Sequence, residues 1–263
     1  MASRNTRIFS HLAFLVLFSI GLMGCASYTV PGRGANMDAA LGGVSNRIRQ
    51  QQTDSQITEV LDRKPLAHFP TGVAIVRIQA PGYQSQTVQS VGNGAYSVVL
   101  TRDVETDDQF ARLAKLPMVT GLAPINRLLL PTTLYDDKDL RTAAAELHAD
   151  VLLIYTFDTN FYDEDMAAPL TVITLGVSPN KHIKVVTTAS AVLMDTRNGY
   201  IYGISEATQQ HQELANAWGD DAAVDRCRRD TEAAAFEKLV GEISKTWAGV
   251  VKQYAGQATA EAK

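Results

Sequence analysis

The stretch "YDDKDLRTAAAELHADVLLIYTFDT", residues 135–159, changes its period half-way and thereby decides the fold. Leu140, Ala143, Ala144 and Leu147 recur at i, i+3, i+4 and i+7, the spacing of one face of a helix, and acids crowd its first turn where the positive end of the dipole lies. The alanines favour helix in their own right. After His148 the period is lost, and "VLLIYTF", 151–157, is nearly all apolar, as suits a strand covered on both faces. A strand in front of the helix then completes a parallel βαβ crossover, which should be right-handed. "INRLLLP", 125–131, is the stretch expected to supply it.

Upstream, "TGVAIVRIQ", 71–79, is rich in β-branched residues and ends at Ala80, Pro81 and Gly82, so it reads as a first buried strand. Asn93 and Gly94 mark a turn ahead of "YSVVLT", and "ETDDQFARLAKL" reads as a helix with acids in its first turn. A short helix is expected over 54–63, with Asp54 as N-cap and Ile57, Val60 and Leu61 on one face. Downstream, a polar loop leads to "LTVITLGV", "HIKVVTTASAVLM" and "YIYGISEATQ", strand-like runs separated by "SPNK" and "DTRNG". Asn198 with Gly199 can take the positive φ angles of a tight hairpin, so an antiparallel meander follows the parallel unit. Phe236, Leu239, Val240, Ile243, Trp247, Val250, Val251 and Tyr254 then trace one stripe of a C-terminal helix. The expected architecture is α/β: a mixed sheet with a parallel βαβ part and an antiparallel meander, and a long C-terminal helix on one face.

The 263 residues are 46% apolar and 20% charged, the composition of an ordinary folded domain. Lys and Arg number 24 against 28 Asp and Glu, a formal charge of -4. Without residues 1–24, which hold Arg4 and Arg7 but no acid, the balance is 22 to 28, or -6. A nucleic-acid surface needs a basic face to displace counterions from phosphate, so that partner is disfavoured.

Arg4 and Arg7 precede an apolar run from Leu12 to Met23, too short to cross a hydrocarbon core, which takes about 20 residues. A basic head, a short apolar middle and a small residue before a cut make a signal peptide. Here Gly24 is that residue and Cys25 follows it. Leu22, Met23, Gly24 and Cys25 resemble the lipobox of bacterial lipoproteins, with Met23 in a slot it seldom fills. The resemblance implies cleavage between Gly24 and Cys25, a diacylglyceryl group on the Cys25 thiol and acylation, as with palmitate, of the new amine. Ala26, rather than aspartate, implies passage to the outer membrane. Several acyl chains hold durably because each buried methylene contributes roughly 0.8 kcal/mol. The expected layout is a signal peptide over 1–24, a lipid-anchored tether over 25–37, a single domain over 38–255 and a fraying tail over 256–263.

The chain contains no G-x-S-x-G, P-loop, H-E-x-x-H, G-x-G-x-x-G or C-x-x-C. Asp163, Glu164 and Asp165 gather in "NFYDEDM" near Asp158, but without the glycine and terminal glutamate of a calcium loop, and a solvated acidic loop is the expected reading over a metal site. No metal or other cofactor is expected. The histidines are scattered: His11 falls in the signal, His148 ends a helix, and His68, His182 and His211 lie far apart. "MAAPLTVITLGV", 166–177, is expected as a sheet strand rather than a lipid-touching arm. Cys227 is the one thiol left once Cys25 is lipidated, and its helix face, shared with Ala223 and Ala234, either packs beneath another segment or opens to a partner or a disulfide-linked dimer.

Ala144, Leu147, Ala149 and Asp150 before the buried strand, and Asp195 and Gly199 at the later hairpin, resemble the "A-x-x-L-x-A-D" and "D-x-x-x-G" patterns of α/β lipoproteins. The families concerned are those of the curli-secretion lipoprotein and the N-terminal domain of TolB, with the rhombotarget lipoproteins sharing the layout. The likeness spans about residues 70–255 and implies the fold. It does not extend to a pore, because the one candidate insert, 159–181, is short and its apolar run nearly continuous. Asp150, at a helix-to-strand junction, reads as a turn cap. The expected function is a non-enzymatic outer-membrane lipoprotein facing the periplasm, binding other envelope proteins in assembly or secretion, with a homo-oligomer allowed. The alternatives are an envelope hydrolase using acids of 158–165 and 220–225, and a small-ligand binder beside the sheet.

Overall fold

The computed structural model describes residues 33–35, 54–85, 87–165, 181–215 and 220–255. Gly24, Cys25, the whole segment 166–177 and the tail over 256–263 lie outside them. The elements run α1 (Asp54–Asp62), β1 (Thr71–Gln79), β2 (Ser90–Val91), β3 (Asn93–Gly94), β4 (Ser97–Val99), α2 (Asp107–Ala114), β5 (Val119–Pro124), a 3₁₀ turn (Arg127–Leu129), β6 (Thr133–Leu134), α3 (Asp137–Glu146), β7 (Val151–Asp165), β8 (Lys181–Asp195), β9 (Ile201–Ala215) and α4 (Asp220–Val250), which ends in a π turn (Val251–Ala255).

The mixed α/β sheet runs in the order β2-β4-β1-β7-β8-β9. β1 lies parallel to β7 through Val73–Val76, and its other edge is divided. The first part of that edge takes β5 in parallel, and Arg77, Ile78 and Gln79 take β4 antiparallel. β7, β8 and β9 form the antiparallel meander, paired along their whole lengths. Alternation along the strands sends Val73, Ile75, Leu153, Phe157, Ala191 and Leu193 to one face, beneath α2 and the Phe236–Trp247 stripe of α4. Ala74, Val76, Ile78, Leu152 and Ile154 face the other way, onto Leu140, Ala143 and Ala144 of α3. "VLLIYTF" is therefore central and covered twice, as its unbroken apolar run requires.

Local chemistry sets the helix ends. Thr106 and Gln109 form a reciprocal capping box on α2, and Asp136 and Asp139 form one on α3. α3 stops in a Schellman motif: His148 N donates to Ala145 O (2.9 Å) and Ala149 N to Ala144 O (3.0 Å), with His148 at φ 53°. Trp247 is buried in α4, and its Nε1 donates to Pro117 O (2.7 Å).

Several expectations need correction. The strand ahead of α3 is Val119–Pro124, not "INRLLLP". Asn126 caps a 3₁₀ turn by accepting from Leu128 N (3.0 Å), which bends the leucine run and leaves Leu128 exposed. Asn93 and Gly94 do not turn the chain but pair in parallel with Thr133 and Leu134. Asp163, Glu164 and Asp165 are no loop, since they continue β7 opposite Ile183, His182 and Lys181. At the β8–β9 turn only Gly199 has positive φ (74°), because the connection is longer than a two-residue hairpin and closes through Asp195 N to Tyr200 O (2.8 Å). Helix α1 forms, but Asp54 is its first residue and Ile57, Val60 and Leu61 are exposed.

The tether expected over 25–37 is pinned within its length. Gly34 makes an antiparallel bridge to Gln79, its N–H donates to Asp158 Oδ1 (3.3 Å), and Ala35 N donates to Thr156 Oγ1 (2.9 Å). Gln79 is itself buried and locked to β7, accepting from Thr156 Oγ1 (2.7 Å) and Phe157 N (3.1 Å) and donating to Phe157 O (3.2 Å). A Cβ on Gly34 would stand 2.9 Å from Phe157 O, so the approach needs glycine.

Candidate functional site

The carboxyl half of β1 carries the strand's single charged residue, Arg77, pointing to the α4 side. Opposite it, Asp225, Arg228 and Glu232 stand at i, i+3 and i+7 on α4, a charged stripe that runs into the apolar stripe at Phe236. The chain between β4 and α2 supplies Asp103 and Glu105, and Tyr83 and Tyr155 close the cluster.

All of these charges are buried, and each guanidinium meets several carboxylates. Arg77 reaches Asp103 (3.0 Å), Glu105 (3.3 Å) and Glu232 (3.5 Å). Arg228 reaches Glu232 (2.7 Å), Asp103 (3.1 Å) and Asp225 (3.1 Å). Tyr83 OH accepts from Arg77 (3.2 Å), Tyr155 OH donates to Glu105 (3.0 Å), and Thr159 donates to Glu232 (3.0 Å). The Arg77 guanidinium also lies over the Phe157 ring, 4.5 Å from its centroid.

Two buried guanidiniums thus face four carboxylates, with the half-buried Arg229 adding a contact to Asp225 (3.2 Å). The imbalance shows in the proton affinities. Burial pushes the Glu232 carboxyl above its ordinary range, and the pull of Arg77 and Arg228 does not fully offset it. Burial also opposes the Asp103 charge, but there Arg77 and Arg228 prevail and hold the carboxyl below its ordinary value. The Tyr83 phenol is pushed up to about 12, by burial first and then by Glu232. Burial likewise works against the charge of Arg77, and Glu105 and Glu232 outweigh it.

Such a cluster joins α4, β1, β7 and the β4–α2 connection by groups engaged with one another. Beside it a small, shallow crevice opens where β4 succeeds β5 on the edge of β1, with Arg77, Arg102, Phe110 and Tyr155 among its walls. Crevices at the carboxyl ends of parallel strands are the usual ligand position in such sheets. Arg77 Nε is buried without a hydrogen-bond partner, a group that a water in the crevice would satisfy.

Of the acids singled out in the sequence, Asp158 and Asp225 do not share a cleft. Asp158 lies on the face of β7 away from α4 and accepts from Gly34, whereas Asp225 is buried on the sheet-facing side of α4 beside Arg228. Among the described residues no three His, Cys, Asp or Glu side chains converge as metal ligands. Asp150 organises a junction, pairing with Arg197 (2.7 Å) and accepting from His68 N (3.3 Å). Asp195 is buried and accepts from Leu66 N (2.7 Å), Tyr202 OH (2.7 Å) and Arg197 N (2.8 Å). Cys227 is fully buried against Val185 and Ala223, so of its two readings the structure gives packing rather than an open interface, and Ala234 does not share that side but is exposed. The first half of α4 is buried on two sides at once, the charged stripe and the Cys227 side, which the single stripe read from its second half did not anticipate. Among the described residues no helix is long and apolar enough to cross a membrane. Compared with known proteins, the chain matches no family model and no curated protein sequence.

Proposed function

We propose that this chain is a lipoprotein anchored through Cys25 to the outer membrane, with a periplasmic domain that binds another envelope protein and catalyses no reaction. The lipobox-like Leu22–Cys25 supports the anchor. The observation that carries the binding role is the outer edge of β9. It is a 15-residue strand, and among the described residues nothing pairs with that edge. Edge strands are ordinarily short or protected by lysine or proline, and β9 contains neither residue nor any arginine. Ile204 on it is 64% exposed. A long edge without lysine, arginine or proline suits an extended segment of a partner, which would add as a further strand and gain main-chain hydrogen bonds.

The test is a photocrosslinking amino acid at Gln210 of β9 in intact envelopes, with the same probe at Lys238 of α4 as control. Both positions are exposed. A discrete protein adduct at Gln210, absent at Lys238 and lost in Thr208→Pro, is the expected result. No adduct, or equal adducts at both positions, overturns the reading.

A further inference from the structure

We infer that Gly34 clamps the anchor segment to the waist of the sheet, so that the domain is held close to the bilayer by a short leash and tethered at mid-strand rather than at an end. The inference rests on lipidation of Cys25, as proposed above. From Cys25 to Arg33 there are eight residue steps, and a fully extended chain covers at most about 3.3–3.6 Å per step, which gives about 26–29 Å. If 33–37 were loose as well, the leash would gain four further steps and about 14 Å.

The clamp is built into the sheet. Its acceptors are Thr156 Oγ1, a buried hydroxyl oriented by its own donation to Gln79, and Asp158 Oδ1 on the same face of β7. Gln79 closes the pairing from β1. Asp158 lies seven residues from either end of β7, so each end of that strand is about 23 Å from the clamp at 3.3 Å per residue. The open edge of β9 and the β8–β9 turn at Asp195–Tyr200 are thereby kept within reach of the membrane surface, and a partner is met there, close to the bilayer.

The experiment uses the full lipidated chain in vesicles of phosphatidylethanolamine and phosphatidylglycerol. Its first arm is the intact mass: a polypeptide without acyl groups defeats the lipoprotein reading and with it this inference. The second arm is amide exchange at Gly34 and Ala35 in a lipid-free Cys25→Ser chain. Two hydrogen bonds of ordinary strength should slow exchange roughly thirty-fold, and Gly34→Val should abolish the slowing. Exchange at free-peptide rates in the unclamped and parent chains alike refutes the clamp while leaving the lipid reading intact. The third arm is energy transfer from a dye at Lys115→Cys to acceptors in the bilayer. Gly34→Val should lower the transfer. A six-residue Gly-Ser insertion between Tyr28 and Thr29 should lower it too, by about 20 Å of added reach, without touching exchange at Gly34. Transfer unmoved by both variants overturns the leash.

Discussion

Removing one charge from the buried cluster should have very unequal consequences depending on its sign. Arg228→Met leaves a side chain of similar length but takes away the partner of Asp103, Asp225 and Glu232. Four buried carboxylates, Glu105 among them, are then left with Arg77 and the outlying Arg229. Breaking a buried pair by deleting one member costs about 3–5 kcal/mol. In a domain of this size 1 kcal/mol moves Tm by about 2–4 °C, so the variant should melt about 6–20 °C lower. Glu232→Gln keeps the shape and reduces four acids to three against the two buried guanidiniums. Its amide oxygen still accepts from Arg228, and its cost at neutral pH should be under about 1 kcal/mol. The pH dependence sharpens the contrast. Because burial raises the folded-state pKa of Glu232, its contribution is fully present below the ordinary carboxylate pKa and is lost as pH rises through the raised value. Asp103, with a depressed pKa, contributes above its ordinary pKa and loses that contribution as pH falls through the depressed value. Glu232→Gln should therefore remove the decline on the alkaline side of the ordinary carboxylate range and leave the acid limb in place. Urea denaturation from pH 3 to pH 8 reads both effects. Equal destabilisation by the two substitutions, or an unchanged pH slope in Glu232→Gln, would refute the charge-imbalance argument.

His148→Gly should stabilise by about 0.5–1 kcal/mol, since His148 holds a left-handed φ at the end of α3 that glycine adopts freely, and chemical denaturation showing a loss would contradict the motif. The Cys227 thiol should resist an aromatic disulfide reagent in the native protein and react once it unfolds, so a stoichiometric native reaction within seconds would place it at the surface. Trp247→Phe should cost about 1–3 kcal/mol by leaving Pro117 O without its donor and opening space beneath α2, and an unchanged melting curve would show that neither matters.

The fold was legible where one periodicity held over a whole element. Residues 137–157 read correctly because α3 buries one face and β7 is buried on both. β5 escaped because "VTGLAP" lies only half-buried and includes Gly121 and Pro124, so it carries neither alternation nor a continuous apolar run. The cluster at Arg77 had a visible trace, a single arginine in "TGVAIVRIQ" and the spacing of Asp225, Arg228 and Glu232. What a one-dimensional reading lacks is the pairing itself. Asp103, Glu105 and Glu232 are brought to Arg77 by tertiary structure from as far as 155 residues away. The clamp at Gly34 was hidden for the same reason, since a stretch holding Pro31, Gly32 and Gly34 also reads as slack chain.

The divided edge of β1 has a consequence for how the chain assembles. This strand is complete only when residues 97–99, 119–124 and 151–154 have all arrived, and one wall of its core comes from α4, which follows all of those segments in the chain. Contacts of such wide separation form slowly because loop closure precedes any reward. Partial chains that stop short of α4 therefore have little to collapse onto, and the sheet commits to its final pairing only after that helix is available.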